Sequence, residues 1–235
     1  MTSEKTLLLE HLDEVQRSLL WKVEGLTDDA LRRPMTPTGT NLIGIVKHLT
    51  GITHGYLVEA FGQERDEDRL TSELDEELFH GLDMWATPEE STDELVAAYR
   101  RACAAGARTI EELDLDATGN HHTGNPVTLR EMVLTVLLDT TRHTGHADVV
   151  RELTDGRVGA RPGDPMSPDD EEYLRMYRAR ITGEIDRDTW MAYVKSLPDY
   201  DPSAWPEFLA RVRPGSQSQA ESGSAGFPSP DSTSE

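Results

Sequence analysis

Two capping boxes, each opening a long run with apolar residues at helical spacing, constrain this chain more than any other feature. Ser91-Thr-Asp-Glu94 precedes LVAAYRRACAAGARTIEEL, and Thr128-Leu-Arg-Glu131 precedes a run that continues to about Thr154. In such a box the hydroxyl accepts from a backbone N–H of the first turn, while the glutamate reaches back to the N–H of the cap residue. Gly156 supplies the stop of the second run, since glycine takes the left-handed conformation that ends helices.

Two more helices follow from periodicity. KTLLLEHLDEVQRSLLWKVEGL places Leu8, His11, Leu12, Val15, Leu19 and Val23 on one stripe and ends near Gly25. Thr27, followed by Asp28 and Asp29, reads as a capped short turn or helix. After TPTGT, with Thr40 as the expected cap, NLIGIVKHLTGITHGYLVEAFG carries Ile45, Leu49, Ile52, Tyr56 and Ala60 at helical spacing. A long connection from Glu64 to Pro88 and a loop of turn residues, DLDATGNHHTGNP, separate these segments.

Four long amphipathic helices with almost no strand-like alternation predict an all-α four-helix bundle over residues 1–156. Residues 157–213 open on the Pro/Gly linker RVGARPGDPMSP and read as a helical extension. A helix is expected there over 169–185, with Trp190, Tyr193, Trp205 and Phe208 as aromatic anchors. Those aromatics are candidates to cover the open bundle end, to form a dimer contact, or simply to buttress the extension. The remainder, 214–235, is low-complexity and predicts a disordered tail.

Charge narrows the partners. The net charge is −21, and only four of the 23 basic residues are lysines. The densest charge run, ERDEDRLTSELDEEL, is itself net negative, which argues against nucleic acid. The opening MTSEKTLLLEHLDE lacks a signal-peptide core, and no apolar run approaches a membrane span. A single cysteine, Cys103, excludes an intramolecular disulfide framework and fits a reducing compartment. A cytoplasmic protein without a membrane partner is the expectation.

The chemistry concentrates in LLDTTRHTGHADVV. Asp139 and His143 stand at i and i+4, so both project from one helix face, and His146 shares it. Val136, Leu137, Val149 and Val150 flank that face and predict that it looks inward. A lone buried carboxylate would cost several kcal/mol, so Asp139 needs a partner. Two such side chains can reach one ion at ~2.0–2.2 Å. His48, between apolar Ile45 and Ile52, is the best third donor from another helix. Two imidazoles and a carboxylate would leave positions open, as in a catalytic rather than a structural site. The same spacing also fits a hydrogen-bonded Asp–His pair beside a satisfied core histidine, and both readings stay open at this point.

GTNLIGIVKHLTGITHGYLVEAFG and LLDTTRHTGHADVVRELTDG together resemble the DinB/YfiT-like superfamily, in the branch close to mycothiol-dependent maleylpyruvate isomerase. The resemblance covers roughly Leu7 to Gly156. It implies a DinB-like four-helix bundle whose second helix supplies one histidine and whose last helix supplies two ligands at i, i+4. Most members carry His-x-x-x-His there and the isomerase-like branch Glu-x-x-x-His. This chain has Asp139, one methylene shorter than glutamate. The implied ligand set is therefore His48, Asp139 and His143, with His146 in reserve and Asp139 then orienting an imidazole.

The implied activity is transfer of a low-molecular-weight thiol such as mycothiol to a small electrophile, or isomerisation through a thiol adduct. The ion is zinc, with iron or nickel as alternatives, and a homodimer is left open. Two rival readings use the same residues: a two-His-one-carboxylate non-haem Fe(II) enzyme, and a non-catalytic stress-response binding bundle. Arg142 is a candidate for steering an anion, or else a solvated face residue. His121 and His122 are expected to be exposed or to line the pocket mouth. His54, off the face of His48, is expected at the surface, and His11 is expected to pack or to close the pocket floor. Cys103, among Ala102, Ala104 and Ala105, reads as a packing residue rather than a nucleophile.

Overall fold

The computed structural model describes residues 2–65, 82–161, 171–198 and 200–203. Most of the charged run, most of the Pro/Gly linker, Trp205, Phe208 and the tail 214–235 lie outside the described residues. Seven α-helices are present among those described: α1 Glu4–Val23, α2 Asp28–Arg32, α3 Leu42–Leu57, α4 Thr92–Glu112, α5 Leu129–Asp155, α6 Glu171–Thr182 and α7 Arg187–Ser196. The architecture is all-α, and among the described residues no helix is long and apolar enough to cross a membrane.

Helix ends follow local chemistry. Thr128 and Glu131 form the full capping box of α5, and Gly156 closes that helix at φ 81°. Ser91 caps α4 through the N–H of Glu94 at 3.4 Å. The glutamate side chain does not return; it pairs with Arg101 at 2.6 Å instead. The cap of α3 is Asn41 rather than Thr40, its side-chain oxygen accepting from Gly44 N–H at 2.8 Å. The loop of turn residues before α5 contains a short antiparallel hairpin, β1 Thr118–Asn120 against β2 Pro126–Thr128, with Gly119 opposite Val127.

In the bundle, α1 and α3 each lie against both α4 and α5. Two apolar clusters fill the interior. One gathers Leu19, Leu42, Ile45, Leu49, Tyr99, Ala147 and Val150; the other gathers Leu12, Leu57, Ile110, Leu129, Val133 and Val136. Both α3 and α5 contribute to each cluster, so each crosses the interval between them.

The far end of α1 is fastened by buried cations. The last carbonyls of a helix lack intrahelical partners, and Arg151, 1% exposed, supplies them. Its guanidinium donates to the carbonyls of Lys22 at 2.7 Å and Glu24 at 2.9 Å. It also donates bidentately to Asp155 at 2.9 and 2.7 Å. Lys22, fully buried, meets Asp148 at 2.7 Å. Burial alone would raise the Asp155 pKa, but hydrogen bonds from Arg151 and the Arg157 N–H outweigh it and hold the carboxyl below its ordinary value.

The second compact unit, Glu171–Glu235, contains α6 and α7. The helix expected over 169–185 is shorter, because Gly183 at φ 82° breaks it and Asp186 caps α7 through Thr189 N–H at 2.7 Å. Tyr173, Tyr177, Trp190 and Tyr193 form its ring cluster, with Tyr173 and Trp190 edge to face at 5.6 Å.

Arg151→Met is expected to lower stability by about 3 kcal/mol, because it strands a carboxylate and two carbonyls. Urea unfolding measures this. The Asp155 pair contributes fully above the ordinary carboxylate pKa. Its contribution fades as pH falls through the lowered folded-state value, so the acid limb of stability flattens in the variant.

Candidate metal centre

The interval between the two apolar clusters is polar. There α3 presents His48 and α5 presents Asp139 and His143, and one ligand atom from each lies within 4.8 Å of the others. His48 Nε2 is 3.3 Å from Asp139 Oδ2, and His143 Nε2 is 3.7 Å from Asp139 Oδ1. The two imidazoles meet edge to face at 4.7 Å. Side-chain exposure is 15% for each histidine and 28% for Asp139, so the group is reached from solvent through its carboxylate.

A residue the sequence reading did not single out completes the arrangement. Asp83 accepts a short hydrogen bond from His48 Nδ1. That contact orients the ring so that Nε2 faces Asp139 Oδ2. Asp83 reaches His48 because the 3₁₀ turn Leu82–Met84 lies directly on α3 at Gly44, where any Cβ would overlap the Met84 carbonyl oxygen. Lys47 fastens the following segment, its ammonium donating to Trp85 O at 3.1 Å and meeting Glu90 at 2.9 Å. Asp83 sits in a connection without periodicity, so nothing in the local pattern signals it.

His143 is held below its ordinary pKa, first by burial and then by His48, with His146 and Arg142 adding and Asp139 opposing. Burial thus favours the neutral form, in which an imidazole offers a lone pair. Its Nδ1 is buried without a hydrogen-bond partner. The donor set fits a divalent ion. Two donors bonded at ~2.0–2.1 Å across a near-tetrahedral angle lie about 3.3–3.5 Å apart. The spacings of 3.3 and 3.7 Å bracket that range.

Other expected residues fall differently. His146 is exposed, its ring 5.4 Å from that of His143, and it stands outside the three-residue group. Arg142 is exposed beside His143. Val149, expected to flank an inward face, is 57% exposed because only the Ala147 and Val150 edge of α5 meets the core. His11 neither packs nor closes a floor; it is exposed near Glu14 at 3.9 Å. Cys103 is packed against the first cluster, and burial pushes its thiol up to about 12, as suits a packing residue.

His54 corrects the surface expectation: it is fully buried. The reason is that α3 is covered by α4, α5 and the 3₁₀ turn Glu59–Phe61, so faces other than that of His48 are interior too. His122 is exposed and His121 half-buried. Both stand over Tyr56, with ring centroids at 5.9 and 5.2 Å. Burial and then the Asp139 charge raise the Tyr56 pKa, which puts this ring cluster at the edge of the centre. Gly119 permits the placement, since a Cβ there would overlap Ala60 O and crowd the Phe61 ring.

A family model described as Mycothiol-S-transferase matches residues 7–156. No curated protein matches the chain. The matched span contains all but the first residues of the bundle, and with it His48, Asp139, His143 and Asp83.

Gly44→Ala gives a direct check on this packing. In an open helix the change would add about 1 kcal/mol of stability. Here the new methyl must displace the turn that carries Asp83, and a net loss of about 1–3 kcal/mol is expected from overpacking. Denaturant unfolding reads the sign.

Proposed function

This chain belongs to the Mycothiol-S-transferase family, and from that premise we propose that it transfers a low-molecular-weight thiol of the mycothiol type to a small electrophile. In this reading His48, Asp139 and His143 hold a divalent ion, zinc ahead of iron or nickel. The observation that carries it is the convergence of two imidazole nitrogens on one carboxylate at 3.3 and 3.7 Å. The shorter contact is also a hydrogen bond, the longer lies beyond hydrogen-bond reach, and both are of the size expected for donors sharing an ion.

A bound divalent ion supplies thiolate at neutral pH, because a free thiol with pKa near 8.5 is deprotonated on coordination. The chain's own residues do the rest. Asp83 fixes the orientation of His48 through Nδ1. Burial favours the neutral form of His143. Three protein donors, rather than the four of a closed structural site, leave room for an exchangeable partner. Tyr56 with His121 and His122 walls one side of the approach. Arg142, exposed next to His143, adds positive potential at the rim for an anionic thiol or substrate.

Assay of metal-loaded protein with mycothiol and a panel of alkyl halides, epoxides and activated alkenes tests the reading. Conjugate is expected with at least one class. Asp139→Ala and His143→Ala are expected to lose transfer and one equivalent of metal by elemental analysis, while His146→Ala keeps both. Asp83→Asn is expected to weaken metal binding about 10–100-fold. Loss in His146→Ala with retention in Asp139→Ala would move the ligand set to three histidines. Oxygen uptake that depends on Fe(II), with no conjugate from any electrophile, would replace thiol transfer with oxygen chemistry.

A further inference from the structure

His54 lies six residues beyond His48 on α3, about 240° round the axis at 3.6 residues per turn, so it belongs to a different site. Its side chain is 1% exposed and stands between two carboxylates. Nδ1 is 3.1 Å from Glu59 Oε1, an ordinary hydrogen bond. Nε2 is buried with no hydrogen-bond partner and faces Glu64 Oε1 at 3.6 Å. One ligand atom from each of His54, Glu59 and Glu64 lies within 4.8 Å of the others.

The two distances differ in kind. Only Glu59 lies within hydrogen-bond reach of the ring; Glu64 stands beyond it. In the neutral tautomer that donates from Nδ1 to Glu59, Nε2 would turn a lone pair on the Glu64 oxygen. That contact repels unless a cation stands between the two. Donors sharing one ion at ~2.0–2.1 Å lie about 3.3–3.5 Å apart, close to the separation of 3.6 Å found here. Glu59 then plays the part of the carboxylate behind a ligating imidazole, as Asp83 does behind His48.

We propose that His54 Nε2 and Glu64, backed by Glu59, bind a second divalent cation suited to imidazole and carboxylate, of the zinc class. Glu59 and Glu64 are partly exposed, with side chains 59% and 33% accessible, so water completes the coordination. The site joins the end of α3 to the chain beyond the 3₁₀ turn Glu59–Phe61, and the net charge of −21 favours cations nearby. It requires nothing of the thiol chemistry and stands or falls independently of it.

The test is titration of chelator-stripped, full-length protein with Zn²⁺ against a chromophoric chelator. Glu64→Gln is expected to bind one ion per chain fewer than the unsubstituted protein. Glu59→Gln is expected to keep the stoichiometry and weaken that ion about 10–100-fold. His143→Ala is expected to retain the ion that Glu64→Gln loses, which separates the two centres. Equal stoichiometry in the unsubstituted protein and Glu64→Gln overturns the proposal. Histidine-ring ¹⁵N spectra give a second readout on unsubstituted protein: Zn²⁺ should shift His54 Nε2 and leave Nδ1 protonated. An unmoved His54 at saturating Zn²⁺ also overturns it.

Discussion

A carboxylate set between two apolar clusters must be met by donors or by positive charge, and the bundle is arranged around meeting that demand at Asp139. The apolar stripes of α3 and α5 are each interrupted at the same level, where His48 faces Asp139 and His143. Residues on either side of the gap bury hydrocarbon and hold the helices together. The gap contributes no such burial and instead gathers polar side chains that solvent reaches at Asp139. Stability and site chemistry are thus divided along the helix axis, each assigned to its own turns of the same two helices.

The gap also depends on segments that are not helices. The turn at Leu82–Met84 and the β1–β2 hairpin both approach α3 or its end at glycines, Gly44 and Gly119, where a side chain would have no room. One approach delivers Asp83 to His48; the other sets His121 and His122 over Tyr56. Each docks only a few apolar side chains, Met84 and Ala86 in one and Val127 in the other, so close backbone approach and single polar contacts share in holding them. This makes the surroundings of the centre more sensitive to small added volume than the centre itself.

The bundle and the meeting of His48, Asp139 and His143 were legible because both are written in helical period. The capping box at Thr128, the stop at Gly156, and the i, i+4 relation of Asp139 and His143 are local signals that survive into the fold. What was not legible lies where the outcome depends on contacts distant in sequence. Asp83 is 35 residues from His48, in a connection whose pattern predicts nothing. His54 looked peripheral because one face of α3 was assumed to be the buried one, whereas the helix is covered on several sides. His146 and Val149 erred the opposite way, sharing a stripe in projection while standing clear of the core.

The burial of cations at the helix ends has a practical side. Of four lysines, Lys22 and Lys47 are enclosed in ion pairs, and Lys5 is half-buried with its ammonium on the Glu111 carbonyl at 3.0 Å. Only the Lys195 side chain stands exposed, and the lone thiol is enclosed and protonated. The lysine and cysteine side chains of the folded bundle are therefore poor targets for amine- and thiol-directed reagents. Among lysine side chains, succinimide esters would mark Lys195 ahead of Lys5, Lys22 and Lys47, so modification of Lys22 and Lys47 would report unfolding of the bundle rather than its surface.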